Sequence, residues 1–391
     1  MGRGELVGES AAADAQCYDR LREFLDAHLP PTPCLALDLG RVEDNYRELC
    51  SSLPSATAHY AVKACPEPAV LATLAGAGAA FDIASPGELD LCLDLGIAAD
   101  RIAYGNTIKK QSAIAYAYER GVRLFTFDCE VELHKLAVAA PGAQVVCRLL
   151  VDGSGAQWPL SRKFGCDRHE AAALLRQAAT LGLDPAGLSF HVGSQQPHPG
   201  RWTAAIHVAA SVFDSLHADG VHLHLLNLGG GFPARYIDAV APLPVFGEEI
   251  EAAIADAFAD DPPRIMCEPG RSIVADAGIL RSEVVLVSRK RESRRWVYLD
   301  VGRFSGLAET EGEAIAYPIR TSRDGGPVAP VILAGPSCDS VDVLYEQRLY
   351  SLPLDLAPGD TLDFLAAGAY TTSYATAAFN GFSPPATYWL P

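Results

Sequence analysis

Short apolar runs and helix-like stretches alternate along most of the chain. Apolar runs typical of β-strands lie at 58–62, 79–83, 101–104, 123–127, 144–151, 187–191, 222–228 and 264–268. The helix-like stretches between them include 86–95, 109–120, 168–181, 200–218 and 246–258. Such alternation predicts a parallel sheet with right-handed crossovers. Eight strands are the number that closes a (β/α)8 TIM barrel, and an open, doubly wound sheet is the alternative.

The regions outside this alternation have a different pattern. Residues 11–29 predict an amphipathic helix, and a strand that leads into the barrel follows at 34–39. After residue 272, turn clusters separate short β-rich runs at 279–288, 295–300, 328–333 and 360–366. We therefore predict an α/β barrel domain over 35–272. An antiparallel β domain over 273–391 is expected to be completed by residues 1–34.

Composition narrows the class of protein. The 391 residues are 49% hydrophobic, which is enough for a large core and argues against disorder. No run of eighteen apolar residues and no apolar leader is present, so we expect no membrane span, no secretion signal and a cytoplasmic location. A formal charge of −17 argues against nucleic acid and favours cationic partners. The ten cysteines occur singly without a CxxC pair, so no metal site is expected.

Only six lysines are present, and one of them stands out. Lys63 ends the apolar run 58–62, just before the helix-starting Pro66. This places an amine at the rim of a sheet, where a lysine that forms a Schiff base would lie. A lysine whose stem packs along the strand end and whose amine reaches solvent is the alternative interpretation. Lys163 is the other lysine embedded in a loop motif.

The loops after the predicted strands carry polar groups at the face where barrels hold their active sites. Three glycines at 229–231 allow backbone N–H groups to approach a phosphate, although a tight turn is the simpler interpretation. Glu268, Gly270 and Arg271 supply a carboxylate, an amide and a guanidinium within four residues. A phosphate together with a protonated ring nitrogen needs that combination, whereas the alternative is a turn with a surface ion pair.

Two further strand ends add candidates. His191 could stack on a planar ring, and Ser194 could donate a hydrogen bond to phosphate, although a structural histidine is the alternative. Asp82 and Arg148 also lie at predicted strand ends. They count as functional only if they converge with the other loops.

Taken in order, these motifs resemble the fold-type III pyridoxal-phosphate decarboxylases, which include ornithine, lysine and diaminopimelate decarboxylases. The resemblance covers the chain from Ala36 to Phe382. Its motifs are Tyr-Ala-Val-Lys at 60–63, Phe-Asp-Ile-Ala-Ser at 81–85, His-Val-Gly-Ser at 191–194, Gly-Gly-Gly-Phe-Pro at 229–233, Glu-Pro-Gly-Arg at 268–271, Gly-Pro-Ser-Cys-Asp-Ser at 335–340 and Gly-Ala-Tyr-Thr at 368–371. The resemblance implies an alanine-racemase-like barrel and pyridoxal 5'-phosphate (PLP) as cofactor.

The resemblance also implies roles for individual residues. Lys63 matches the Schiff-base lysine, His191 the ring-stacking histidine, and Glu268 the carboxylate that keeps the pyridine nitrogen protonated. The remaining cofactor-binding candidates are Asp82, Arg148, Ser194, Gly230, Gly231, Gly270, Arg271 and Tyr370. Cys338 and Asp339 match residues that reach across a homodimer interface, the cysteine as proton donor near Cα and the aspartate near the substrate's distal amine.

Two differences from the diaminopimelate decarboxylases indicate the substrate class. Asp339 stands where diaminopimelate decarboxylases resemble one another in carrying Glu, and residues 300–320 contain no Arg-Pro-x-x-Tyr element for a second carboxylate. Both favour a basic amino acid. The stretch 302–310 resembles the bacterial ornithine or lysine/ornithine branch, in which Glu309 or Glu311 would add a second anion near the distal amine. We therefore expect L-ornithine to be converted to putrescine and CO2.

Three alternatives remain open on the sequence. Another amine-forming decarboxylase, acting on lysine, diaminopimelate, arginine or a specialised amino acid, is the nearest. An amino-acid racemase would share the barrel, but Cys338 and Asp339 speak against it. A non-catalytic PLP-binding homologue is the third, and the presence of both Lys63 and Cys338 argues against it.

Overall fold

The computed structural model describes residues 18–158, 163–259, 261–290 and 294–391. These residues form two units. The barrel unit comprises Glu43–Pro233 and Ala241–Gly270. The sheet unit comprises Ala234–Val240, Arg271–Pro391 and the described part of Met1–Val42.

The described chain begins with helix α1 (Asp19–His28), strand β1 (Cys34–Asp38) and helix α2 (Leu39–Ser52). Eight parallel strands then close the barrel, and the last pairs with the first. They are β2 (Ala56–Ala61), β3 (Ala80–Ile83), β4 (Ile102–Tyr104), β5 (Leu124–Phe127), β6 (Gln144–Arg148), β7 (Asp184–Ser189), β8 (Leu225–Asn227) and β9 (Arg264–Cys267). The predicted (β/α)8 barrel is confirmed.

A helix follows each barrel strand. In order these are α3 (Pro68–Gly76), α4 (Pro86–Asp94), α5 (Gln111–Glu119), α6 (Glu130–Ala139), α7 (Arg168–Thr180), α8 (Gly200–Ala218), α9 (Leu243–Phe258) and the four-residue α10 (Arg271–Val274). Side-chain caps start two of them, because the Ser85 hydroxyl accepts from the Glu88 amide and the Asp167 carboxylate accepts from two amides of α7. Inside the barrel, Val146, Leu225 and Met266 form part of the apolar core.

The sheet unit is a mostly antiparallel sheet. Its strands are β1, β10 (Gly278–Arg289), β11 (Arg295–Leu299), β12 (Ile319–Thr321), β13 (Val328–Ala334), β14 (Val343–Pro353), β15 (Thr361–Leu365) and β16 (Ala386–Leu390). The order is β12-β15-β10-β11-β13-β14, and β1 pairs with both β10 and β16. Two pairs, β11–β13 and β1–β16, are parallel. The predicted antiparallel β domain beyond the barrel is therefore present.

Several details differ from the sequence-based expectations. Strand β1, predicted as a segment that leads into the barrel, pairs with β10, because Cys34 and Ala36 pack with Ile279 and Leu365 in the core of the sheet unit. The described helix α1 covers only 19–28 of the predicted 11–29, and residues 11–17 lie outside the described part of the chain. Strand β7 ends at Ser189, so His191 lies in the loop beyond it.

None of the helices in the described ranges has the length and apolar character that a membrane crossing requires. Within the same ranges, no cluster of three or more His, Cys, Asp or Glu side chains could hold a metal ion.

Candidate active site

Lys63 lies at the carboxyl end of β2, in a single 3-10 turn from Val62 to Ala64. Its Nζ atom is 3.5 Å from Oδ2 of Asp82, at the end of the neighbouring strand β3. The Lys63 side chain is 44% exposed, whereas that of Asp82 is only 3% exposed. An amine that solvent can reach is therefore held against a buried carboxylate.

The carboxyl group of Asp82 has a strongly shifted pKa. Burial raises its pKa well above the ordinary value, the charge of Glu268 raises it further, and Lys63 opposes both effects. Its second oxygen, Oδ1, is buried without a hydrogen-bond partner among the described residues. A carboxyl group with a raised pKa beside an amine can exchange a proton with that amine.

Glu268 follows β9 and is oriented by Asn227 at the end of β8. The Asn227 amide nitrogen donates to Oε1 of Glu268 at 2.6 Å, while its carbonyl oxygen accepts from the Gly229 amide at 2.9 Å. These two bonds fix both the asparagine and the carboxylate. Asn227 was not among the predicted residues, although a polar residue at the end of an apolar strand was a usable signal.

His191 presents a neutral imidazole. Its Nδ1 atom accepts a hydrogen bond from the Gly193 amide at 3.0 Å, so this nitrogen carries no proton. Burial, and then the charges of Arg148 and Lys63, lower the pKa of His191 well below its ordinary value. An uncharged, fixed ring is suited to stacking on another planar group.

The glycine loop after β8 passes close to both groups. A Cβ added at Gly230 would lie 2.6 Å from the backbone oxygen of Glu268 and 3.2 Å from Nε2 of His191. Only glycine therefore fits between the carboxylate loop and the histidine without displacement. Gly231 follows in the same loop, and Gly270 lies just after Glu268 in the chain.

Two other predicted residues lie on neighbouring loops of the barrel unit. Arg148 ends β6, and its guanidinium carbon lies 5.0 Å from the centre of the Phe164 ring. Burial lowers the pKa of Arg148, while Glu268 acts in the opposite direction. Ser194 exchanges two backbone hydrogen bonds with Trp158, which fixes the loop after His191.

In the sheet unit, Arg271 is enclosed by a buried cluster. Its Nη1 atom donates to Oε2 of Glu309 at 2.7 Å and to the Tyr236 hydroxyl at 2.8 Å, and Nη2 donates to Oε1 of Glu309. The guanidinium carbon is 4.8 Å from the centre of the Tyr370 ring. Arg271 and Glu309 are 3% and 2% exposed. Glu309, expected near the substrate's distal amine, thus has both oxygens bound by Arg271.

Cys338 and Asp339 lie together on the loop between β13 and β14, and both side chains are exposed. The Cys338 amide donates to Oδ1 of Asn380 at 2.8 Å. One oxygen of Asp339 accepts from the Val341 amide at 3.0 Å. A thiol and a carboxylate are therefore presented side by side at the surface of this unit.

The residues of the barrel unit fit PLP, which has a pyridine ring, an aldehyde and a phosphate. Lys63 supplies an accessible amine for the aldehyde, and the neutral ring of His191 suits stacking on the pyridine. Glu268, held by Asn227, is a carboxylate that can hold the proton of the ring nitrogen. The close approach at Gly230 keeps that loop free of side chains, as a phosphate cradle requires.

A family-wide sequence model described as "Pyridoxal-dependent decarboxylase, pyridoxal binding domain" matches residues 39–275. The lysine/ornithine decarboxylase of Selenomonas ruminantium is 36% identical over 358 residues, which covers 90% of this chain and 88% of that protein. A solved structure of lysine/ornithine decarboxylase from Vibrio vulnificus, complexed with cadaverine, aligns with a TM-score of 0.85 and 33% identity over 96% of this chain and 99% of its own. The arginine decarboxylase of Paramecium bursaria Chlorella virus aligns with a TM-score of 0.87 and 29% identity over 95% of this chain and 99% of its own. The chain therefore belongs to the pyridoxal-dependent decarboxylase family, and it is a PLP-dependent decarboxylase of fold type III.

Proposed function

We propose that this enzyme decarboxylates a basic L-amino acid, with L-ornithine as the preferred substrate and putrescine and CO2 as products. The observation that carries the proposal is the arrangement of Lys63, Asp82 and Glu268 at adjoining strand ends of one barrel. Relatives named for lysine, ornithine and arginine decarboxylation support a basic substrate. The same proposal places the enzyme in the cytoplasm. It also assigns the enzyme to polyamine biosynthesis, because putrescine is a diamine.

Bound PLP supplies an electron sink that stabilises negative charge at the substrate's Cα after CO2 leaves. Lys63 would hold the cofactor through Nζ. Asp82 lies 3.5 Å from Nζ, where its carboxyl group takes up or returns a proton of that amine. Its raised pKa suits that task, because burial makes this carboxylate a better proton acceptor than that of an exposed aspartate.

Glu268 and His191 prepare the cofactor's ring. Glu268 would hold a proton on the ring nitrogen, and the Asn227 amide orients its carboxylate. His191 would pack against the ring as a neutral imidazole, which adds no positive charge beside that nitrogen. Arg148, Ser194, Gly230, Gly231, Gly270, Arg271 and Tyr370 complete the cofactor-binding set.

Cys338 and Asp339 act from the second subunit of a homodimer. The Cys338 thiol donates a proton to Cα in place of the CO2 that leaves, and Asp339 binds the distal ammonium group of the substrate. Both side chains are exposed in a single chain, which is consistent with residues that serve a partner's site. We assign Glu309 to the ion pair with Arg271 and not to substrate binding, because Arg271 already binds both of its carboxylate oxygens.

The cofactor assignment is tested by borohydride reduction followed by peptide mapping. We expect the label on Lys63. Lys109 is the internal control, because its side chain is completely buried and hydrogen-bonded to the backbone oxygens of Asn106 and Thr126. A label on Lys109 or Lys163 would refute the assignment.

The shared-site assignment is tested by mixing two strongly impaired variants, Lys63→Ala and Cys338→Ala. Random reassociation gives some dimers in which one site has both an intact Lys63 and an intact Cys338. We expect activity to recover in proportion to that fraction. If subunit exchange is verified and no activity returns, each chain builds its own site.

The substrate assignment is tested with Asp339→Asn. A charge-assisted contact is worth about 1.5–3 kcal/mol, so kcat/KM for ornithine should fall roughly tenfold to a hundredfold, with the cofactor spectrum unchanged. Asp261→Asn is the matched control, because Asp261 is also exposed and is not among the predicted site residues. Lysine is one methylene longer, so we expect modest discrimination of about 10- to 200-fold. Robust CO2 release from meso-diaminopimelate with none from ornithine would contradict the substrate assignment.

A further inference from the structure

The loop that carries Cys338 and Asp339 is rich in small and turn-forming residues, Gly-Pro-Ser-Cys-Asp-Ser at 335–340. Such a segment has little side-chain packing of its own to fix its conformation. Besides the Asn380 oxygen that binds the Cys338 amide, one buried carboxylate holds it in place, that of Asp342, which is only 3% exposed. No role was predicted for Asp342 from the sequence.

Asp342 binds the loop at both of its ends. Its Oδ2 atom accepts from the Ser337 amide at 3.1 Å, just before Cys338. Its own amide donates to the backbone oxygen of Asp339 at 3.1 Å, and its backbone oxygen accepts from the Gly335 amide at 2.9 Å. The segment 335–342 is thereby closed on itself around the thiol and carboxylate that it presents.

The second carboxylate oxygen ties this closed loop to another segment of the sheet unit. Oδ1 of Asp342 accepts from the Arg303 amide at 2.8 Å. A carboxylate that accepts two backbone N–H groups makes stronger bonds than a neutral acceptor. The loop is therefore anchored to the turn at residues 302–303 through Asp342.

Two glycines show how closely this carboxylate is enclosed. A Cβ added at Gly302 would lie 2.2 Å from Oδ1 of Asp342, and one added at Gly335 would lie 2.4 Å from the same atom. Real Cβ atoms do not approach an oxygen that closely, so a side chain at either position would displace the carboxylate. The backbone at Gly302 and the backbone at Gly335 therefore pack directly against the Asp342 carboxylate, with no side chain between them and it.

We propose that Asp342 is a positioning residue for decarboxylation, which sets the places of the Cys338 thiol and the Asp339 carboxylate. This inference rests on the proposed function of those two residues. A reacting group that is misplaced by about 1 Å loses roughly a hundredfold in rate, so a loop of this kind needs such an anchor. Asp342 itself touches neither substrate nor cofactor in this assignment.

The first test is Asp342→Asn in the holoenzyme. The amide keeps the shape of the side chain but has one acceptor oxygen, so one of the Ser337 and Arg303 amides then faces an NH2 group. We expect kcat for ornithine to fall about tenfold to a hundredfold, while the cofactor absorption spectrum and cofactor affinity stay unchanged. Hydrogen exchange at the Ser337 and Arg303 amides should become faster. Unchanged kcat with faster exchange would overturn the proposal.

The second test is a double-mutant cycle with Cys338→Ala, measured as kcat at saturating substrate. If Asp342 acts by placing the thiol, Asp342→Asn should cost no more than about twofold in kcat once the thiol is absent, because the Asp339 contact acts through substrate binding, which saturation removes. An equal loss in both backgrounds would mean that Asp342 acts elsewhere and would overturn this inference. If Cys338→Ala alone has no effect, the proposed function of Cys338 fails instead. The two failures are thus distinguishable.

The third test perturbs the anchor without touching Asp342. Gly302→Ala pushes on the carboxylate from outside the loop, and we expect the same fall in kcat and the same insensitivity in the Cys338→Ala background. Gly326→Ala is the matched control, because its nearest neighbour would be 3.8 Å from the added Cβ. Should Asp342→Asn fail to fold, the Gly302→Ala cycle decides the matter. Wild-type kcat in a folded Gly302→Ala enzyme would refute the proposal.

Discussion

The buried pair of Arg271 and Glu309 predicts a large loss of stability when Glu309 becomes Gln. The two side chains are each 3% exposed and share two charge-assisted hydrogen bonds. Gln keeps one acceptor oxygen, but its NH2 group faces the guanidinium, and the charge of Arg271 loses its counter-ion. Removing one partner of a buried pair costs about 3–5 kcal/mol, because the other charge stays buried.

The assay is guanidinium unfolding of the cofactor-free protein, followed by circular dichroism. Leaving out the cofactor keeps any change in cofactor binding from altering the measured stability. Asp238→Asn is the matched control in the same unit, because Asp238 and Arg348 form an ion pair at 3.3 Å with side chains 52% and 35% exposed. An exposed pair of this kind is worth about 0–1 kcal/mol.

A second variant separates the charge from the packing. Replacing both partners, with Arg271→Met and Glu309→Leu, should restore much of the stability lost in Glu309→Gln, since no buried charge remains unpaired. The reasoning is refuted if Glu309→Gln unfolds like Asp238→Asn. An unchanged stability together with a raised KM for ornithine would instead return Glu309 to the substrate site.

Three further outcomes are expected. Burial lowers the pKa of His59 to about 4. Below about pH 6.5 the unfolded chain binds a proton at this histidine and the folded chain does not, so the free energy of unfolding should fall by about 3 kcal/mol between that pH and pH 4. His59→Gln should remove this part of the pH dependence. Gly230→Ala should weaken cofactor binding by about tenfold or more in a titration of the cofactor-free protein, since its Cβ would press on Glu268 and His191. Lys109→Met should lower the free energy of unfolding by about 3 kcal/mol, whereas the exposed Lys110→Met should change it by less than about 0.5 kcal/mol.

The periodicity of the sequence predicts the barrel well because each strand is a short, buried run of mostly apolar residues. All eight predicted strands overlap observed ones, and Lys63 lies at the strand end where its motif placed it. Strand β14 was not predicted, because Glu346, Gln347 and Arg348 interrupt its apolar pattern. Their three amides donate to the carboxylate of Glu313, a residue far away in sequence, and this replaces regular strand pairing there.

The site residues that were missed depend on contacts between distant segments. Asn227 and Tyr236 bind Glu268 and Arg271 through single hydrogen bonds that no local pattern encodes. Lys109 stands beside Lys110 in a polar stretch, yet its amine is buried 3.0 Å from a carboxylate of Glu132. Local sequence specifies which chemistry is available at a strand end, whereas tertiary packing decides which groups orient it.

The pairing of β1 has a consequence for synthesis on the ribosome. Every barrel strand has been translated once Cys267 is made, but β1 remains without its neighbour β16, in which Ala386 pairs with Cys34. Until those late residues emerge, one edge of an early, buried strand has backbone groups without partners. Nascent chains that pause between these two points expose the type of edge to which chaperones and other unfinished chains bind.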